Sequence, residues 1–169
     1  MKKIHIHIFL IFLAILNFAC EQRQKVSEKA KEQPKEEVRD ERPVMQINLT
    51  DGRQIEPRTL TEKAIFIFFQ PDCDHCQHGA RDIQARLNSF AGYELYFVSS
   101  HPMEVINQFA KDYKLDNTPN VFFGSTPVES VLNNYGAISA PSVYIYNEQG
   151  KLTKSFNGQT DVEQLIQSL

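Results

Sequence analysis

The 169-residue sequence holds only three cysteines, Cys20, Cys73 and Cys76, too few for a disulfide framework or a four-cysteine zinc site. Gln77 stands where a Cys-x-x-Cys-His haem attachment would need histidine, which excludes that chemistry. The longest apolar stretch, residues 4 to 19, is interrupted by His5, His7 and Asn17. It falls short of the about 20 residues that span a bilayer. There is no internal repeat. The formal charge is −3, and −5 once the two charges of Lys2 and Lys3 are removed, which argues against a nucleic-acid partner or a polybasic membrane patch.

What is there starts with Lys2 and Lys3, the apolar stretch, and an abrupt change to polar sequence after Cys20. Residues 1–19 read as a signal peptide. Leu16-Asn17-Phe18-Ala19-Cys20 resembles a bacterial lipobox, in which the cysteine becomes the lipidated first residue of the mature protein. An ordinary secretory signal or an uncleaved anchor remains open on the residues alone. Lipidation of Cys20 would account for the odd thiol. Residues 21 to 43 carry seven acidic and seven basic side chains, with Pro34 and Pro43 and no apolar helix face. Residues 20–43 are therefore expected to be a charged flexible linker, reaching up to roughly 75 Å.

Residues 44–169 have the size of one domain with a core of its own. Met45 to Leu49, the turn at Asp51-Gly52, and Gln54 to Leu60 predict a β-hairpin. Ala64 to Phe69 is an apolar, aromatic run that reads as a buried strand. After Cys73 the apolar positions take helical spacing through Cys76, Ala80, Ile83, Leu87 and Phe90. Tyr93 to Ser99 predicts a strand, and Pro102 opens a helix with Val105, Ile106, Phe109 and Tyr113 on one face. Asn120 to Gly124 predicts another strand. Thr126-Pro127-Val128-Glu129 reads as a capping box whose helix ends near Gly136. Ser142 to Tyr146 and Lys151 to Phe156 form a second hairpin, and a capping box from Thr160 to Glu163 opens a final helix burying Val162, Leu165, Ile166 and Leu169. The pattern is α/β: a central mixed sheet flanked by helices in a three-layer sandwich, with an N-terminal β-hairpin.

Cys73 and Cys76 carry the chemistry. A cysteine where a buried strand passes into a helix meets unpaired backbone N–H groups and the positive end of the helix dipole, both of which favour a thiolate. Cys73 is thus the candidate nucleophile. Cys76, one turn on, lies within disulfide reach at a Cα separation of roughly 5 to 6 Å.

The order of features resembles the thioredoxin fold, and more closely the TlpA/ResA-like extracytoplasmic thiol-disulfide oxidoreductases. The carriers are Leu49-Thr50-Asp51-Gly52, the run Phe66-Ile67-Phe68-Phe69 before Cys73-Asp74-His75-Cys76, Tyr135-Gly136-Ala137-Ile138-Ser139-Ala140-Pro141-Ser142, and Asn147-Glu148-Gln149-Gly150-Lys151. The resemblance implies a cis Pro141 beside the cysteine pair, with Ala140 offering its backbone to substrate. A trans proline opening an edge strand is the lesser alternative on the residues alone. It further implies a redox-active Cys73–Cys76 disulfide with no other cofactor, a membrane electron donor, and disulfide-containing exported proteins as substrates. Apocytochrome c, misoxidised proteins and other redox carriers all stay open.

Three departures stand out. Asp72 occupies a place where relatives often carry tryptophan, Asp74-His75 replaces the usual Gly-Pro or Glu-Pro, and Ile67 replaces a buried aspartate, so no general base for Cys76 is named. His75 is expected to favour a stable thiolate and an oxidising potential, as in the periplasmic Cys-Pro-His-Cys oxidase. Asp72 and Asp74 are expected to oppose it. The reading is a membrane-tethered reductase facing the periplasm. Two alternatives are a peroxiredoxin-like peroxidase, although Phe66 and Gln70 occupy the proline and threonine places of its Pro-x-x-x-Thr-x-x-Cys motif, and a copper-binding metallochaperone. This sequence lacks the Cys-x-x-x-Cys spacing of such copper carriers and a second donor cluster, so no metal is expected. His78 and His101 read as surface residues.

Overall fold

The computed structural model describes residues 40–169. The expected signal peptide, Cys20 and the linker as far as residue 39 lie outside the described residues.

Seven strands form one mixed sheet: β1 (Ile47–Leu49), β2 (Gln54–Ile55), β3 (Ala64–Phe68), β4 (Glu94–Ser99), β5 (Val121–Ser125), β6 (Ser142–Tyr146) and β7 (Leu152–Asn157), in the order β2-β1-β5-β4-β3-β6-β7. Strands β3, β4 and β5 run parallel, and the other pairings are antiparallel. The helices are α1 (Asp74–Ala85), α2 (Met103–Asp112), α3 (Val128–Tyr135) and α4 (Val162–Ile166). This is the thioredoxin-like three-layer arrangement, with the N-terminal hairpin at one edge.

Strand β3 lies at the centre because every residue from Ala64 to Phe68 is buried, which suits a strand covered on both faces. Alternation divides its side chains. Ile65 and Ile67 join Phe97, Ile83, Ile106 and Phe109 on one face, while Phe66 and Phe68 join Tyr96 and Tyr146 on the other. Phe66 stacks on Tyr96 with ring centroids 5.2 Å apart, and Phe69, just past the strand, packs 4.6 Å from Phe109. Among the described residues no helix is long and apolar enough to cross a membrane.

Several boundaries differ from the sequence reading. The second hairpin strand stops at Ile55, because Pro57 has no N–H for the ladder and instead begins a short 3-10 turn, Pro57–Thr59. Helix α1 ends at Ala85, and a 3-10 turn, Leu87–Phe90, carries Phe90 into the core. Neither capping box forms as expected. The Thr126 hydroxyl donates to the Gln46 carbonyl (2.8 Å), tying α3's approach to the N-terminal hairpin and leaving Pro127 at the cap position. At α4 the cap is Asp161, whose carboxylate accepts from the Glu163 N–H at 2.8 Å, while the Thr160 hydroxyl donates to Gly158. Helix α3 does end at Gly136, whose φ of +73° favours glycine.

The folded domain also begins earlier than residue 44. Arg42 is only 2% exposed, and its guanidinium donates to the carbonyls of Leu60 (2.6 Å), Glu62 (3.1 Å), Asn147 (3.0 Å) and Glu148 (3.3 Å). The Glu41 N–H donates to Gly150 (2.9 Å), and the Glu41 carboxylate accepts from the Leu152 N–H (2.8 Å). Residues 40 to 43 therefore belong to the domain. A planar cation with five donors satisfies carbonyls from two loops at once, which is why a charged segment packs here. Those loops precede β3 and follow β6, at the end of the sheet away from Cys73.

Candidate active site

Strand β3 delivers the chain to a turn in which the Cys73 N–H donates to the Gln70 carbonyl (3.1 Å) and the Gln77 side chain donates to the Pro71 carbonyl (3.0 Å). Cys73 is the N-cap of α1. Its extended backbone (φ −88°, ψ 118°) turns the sulphur back over the first turn, where the Cys76 N–H donates to Cys73 Sγ at 3.4 Å. That orphan donor and the helix dipole supply the environment a thiolate needs. Cys73 is half-buried and Cys76 buried, both as free thiols.

Cys76 is chemically the opposite of an exposed nucleophile. Burial, and then the hydrogen bond with Cys73, push its thiol up to about 12. A backbone hydrogen bond from Gln70 pulls the other way, and the charges of Cys73 and Asp72 add to the rise. It borders a small apolar cavity of about 40 Å³ shared with Pro141, Val162 and Leu165. Ile67, in the place where many thioredoxins bury an aspartate, lines that cavity.

The Ala140–Pro141 peptide is cis, as the resemblance implied. The thiol of Cys73 points at the Ala140 carbonyl, 3.7 Å away, so the structure brings together Cys73, Cys76, Ala140 and Pro141 from two chain segments 67 residues apart. Asp72, Asp74 and His75 are exposed beside the pair. His78 is exposed and its Nδ1 lies 2.7 Å from the Asp74 carbonyl, while His101 Nδ1 lies 3.1 Å from the Ser99 hydroxyl. Among the described residues, no three His, Cys, Asp or Glu side chains cluster as metal donors.

Asn157 was not visible in the sequence as a site residue. Its side-chain oxygen accepts from the Ser139 N–H (2.7 Å) and the Ser142 hydroxyl (3.1 Å), and the Gly158 N–H donates to Pro141 (2.9 Å). The end of β7 thereby clamps the loop that faces Cys73. Only the register of Ser142 opposite Asn157 reveals it.

The AhpC/TSA family pattern matches residues 38–155, more than half of the sequence, including Cys73, Cys76, Ala140 and Pro141. The chain belongs to the AhpC/TSA family. Its fold is similar to that of a secreted Mycobacterium tuberculosis disulfide oxidoreductase homologous to E. coli DsbE, with a TM-score of 0.65 and 16% identity over 77% of this chain and 97% of that one. StoA from Bacillus subtilis gives a TM-score of 0.58 and 20% identity over 73% and 93% of the two chains. Copper-bound ScoI from Arabidopsis thaliana gives 0.53 and 12% over 73% and 91%. At these identities the likeness is one of fold. No curated protein matches the AhpC/TSA chain by sequence.

Proposed function

We propose that the protein is an extracytoplasmic reductase of exported disulfide proteins, tethered to the membrane through a lipid on Cys20. The observation that carries the proposal is the Cys73 sulphur, set on the helix cap and facing the Ala140 carbonyl beside cis Pro141. In the reaction the Cys73 thiolate attacks one sulphur of a substrate disulfide and expels the other as a thiolate, which takes up a proton. Cys76 then loses its proton and attacks Cys73 Sγ in the mixed disulfide, releasing the second substrate thiol. Two electrons pass from the dithiol to the substrate, leaving a Cys73–Cys76 disulfide that a membrane dithiol donor reduces again.

Reduction is favoured over oxidation by charge. Asp72 and Asp74 are both exposed beside Cys73, and carboxylates there work against the strongly stabilised thiolate that marks an oxidase. His75 acts in the opposite sense and, like the two carboxylates, is exposed and screened by solvent, so one imidazole offsets them only in part. Equilibration with glutathione tests the direction: a reductase should give a potential near or below about −250 mV, whereas one near about −120 mV would overturn it. Cys76→Ser should accumulate a mixed disulfide through Cys73, and Cys73→Ala should abolish insulin reduction. Insulin reduction by Cys73→Ala at the wild-type rate would remove the nucleophile assignment.

The family assignment gives the peroxidase reading its standing. Against it, the proline and threonine places of the peroxidatic motif hold Phe66, wholly buried in the core, and Gln70, which is exposed. Hydrogen peroxide consumption that survives Cys76→Ser would favour the peroxidase instead.

A further inference from the structure

The sheet face under α3 carries a pair of phenols that the chemistry at Cys73 does not use. Tyr135 is the last residue of α3, which packs on the sheet through Val131 and Tyr135, one turn apart. Tyr144 lies on β6 opposite Phe66. The rings of Tyr135 and Tyr144 meet with centroids 4.2 Å apart and planes tilted by 39°, the shortest centroid separation of any aromatic pair among the described residues. Phe68 packs edge-on against both, at 5.0 Å from Tyr135 and 5.9 Å from Tyr144, and holds them together. Rings this close are in carbon-to-carbon contact, so joining them takes a side-chain rotation and no rearrangement of the fold.

The six tyrosines of the sequence stand at positions 93, 96, 113, 135, 144 and 146, and among the described residues this is the one pair whose rings touch. Tyr146 meets the pair only through its hydroxyl, 3.2 Å from that of Tyr135, and is itself 1% exposed, whereas Tyr135 and Tyr144 are partly exposed. Their surroundings favour loss of a hydrogen atom over loss of a proton. Burial pushes both phenols up, so neither ionises near neutral pH. A neutral phenol that gives up an electron and a proton together leaves a neutral radical, and no charge is placed in a desolvated site.

We infer that Tyr135 and Tyr144 form an oxidative modification site: a one-electron oxidant, of the class that peroxide generates at a metal centre, joins them as an intramolecular dityrosine. Each phenol gives one electron to the oxidant and one proton to water. The two phenoxyl radicals couple through a ring carbon beside each hydroxyl, and the hydrogens on those carbons move to the phenolic oxygens as the rings regain aromaticity. Two electrons and two protons leave, and one carbon–carbon bond forms. That bond closes a ring around residues 136–143, the segment that carries Ala140 and faces Cys73, and staples the end of α3 to β6. The reaction involves neither cysteine, so it stands independently of the reductase reading.

The test uses the protein with its Cys73–Cys76 disulfide closed, so that thiols do not compete for the oxidant, at micromolar concentration with ruthenium tris-bipyridyl, persulfate and brief illumination. The expected product is a monomer that has lost two hydrogen atoms, shows the blue fluorescence of dityrosine, and yields a cross-linked peptide pair containing Tyr135 and Tyr144. Tyr144→Phe should lower the fluorescence about tenfold or more, because the remaining tyrosines must then couple between molecules instead of as a held pair. Tyr135→Phe should do the same, and Tyr113→Phe, on the opposite face of the sheet, should keep the wild-type yield. The cross-linked monomer should melt about 5 °C or more above the untreated protein, as expected for covalent closure of a loop of roughly ten residues. Fluorescence that survives Tyr144→Phe, or a cross-link mapped to other tyrosines, would overturn the site. Covalent dimers without the monomeric product would overturn it as well, since the rings would then not couple within one chain. An unchanged Tm in the mapped monomer would overturn the staple.

Discussion

Raising the pH should destabilise the reduced protein through one thiol. Cys76 is 4% exposed, and its thiol is held at about 12 against an ordinary value of 9.0. The unfolded chain ionises this thiol near 9, whereas the folded chain keeps it protonated until about 12. The unfolded state therefore binds fewer protons through that window. The stability that Cys76 contributes is complete below pH 9 and is lost as pH rises toward 12. The slope is about 1.4 kcal/mol per pH unit, or roughly 3 to 4 kcal/mol over the full shift. At pH 10.5 the loss is about 2 kcal/mol, which with a urea m-value of about 1–3 kcal/mol/M lowers the midpoint by roughly 1 M. Burial also pushes the phenols of Tyr96, Tyr135 and Tyr146 up, so wild type alone cannot isolate the thiol. The measurement is the difference in urea midpoint between reduced wild type and Cys76→Ser, at half-unit steps from pH 8 to pH 10.5. The phenols are common to both and cancel. A difference that stays flat across that range would refute the claim that Cys76 is desolvated, and with it the need to expel a proton from a buried thiol before resolution.

Two further outcomes follow from the contacts. Asn157→Ala removes the acceptor shared by the Ser139 N–H and the Ser142 hydroxyl. It should cost about 1–3 kcal/mol in urea unfolding and slow exchange at Cys73, because the loop carrying Ala140 is no longer clamped; unchanged exchange would show that the loop holds itself. Arg42→Ala strips donors from four loop carbonyls at the far end of the sheet. It should cost about 3 kcal/mol or more and open the chain near residue 42 to protease while leaving the Cys73 exchange rate intact; a loss under about 1 kcal/mol would mean the segment is not anchored.

Much of the fold was legible because it rests on local rules. The unbroken apolar run Ala64 to Phe69 could only be a covered strand, and the change to helical spacing at Cys73 fixed where the helix begins. The turn at Gly136 and the strand pair before the last helix followed from the same rules. Capping was less legible. A Thr-x-x-Glu pattern says that a hydroxyl could cap, not that nothing better is near, and Thr126 found the carbonyl of Gln46, just before β1 and 80 residues away. Arg42 read as one more charge in a solvated run. Its burial depends on four carbonyls from segments that meet only in the folded sheet.

The sequence by itself determined the pair of thiols, their order on the helix and the α/β layering, since each is set by residue type and spacing within a dozen positions. Only the tertiary structure decided how the thiols differ and what faces them. Antiparallel pairing of β3 with β6 brings Ala140 and cis Pro141 against Cys73, and the packing of α1 over the sheet desolvates Cys76 while its neighbour stays accessible. Desolvation and juxtaposition are properties of surfaces brought together from distant positions, and no local pattern encodes them.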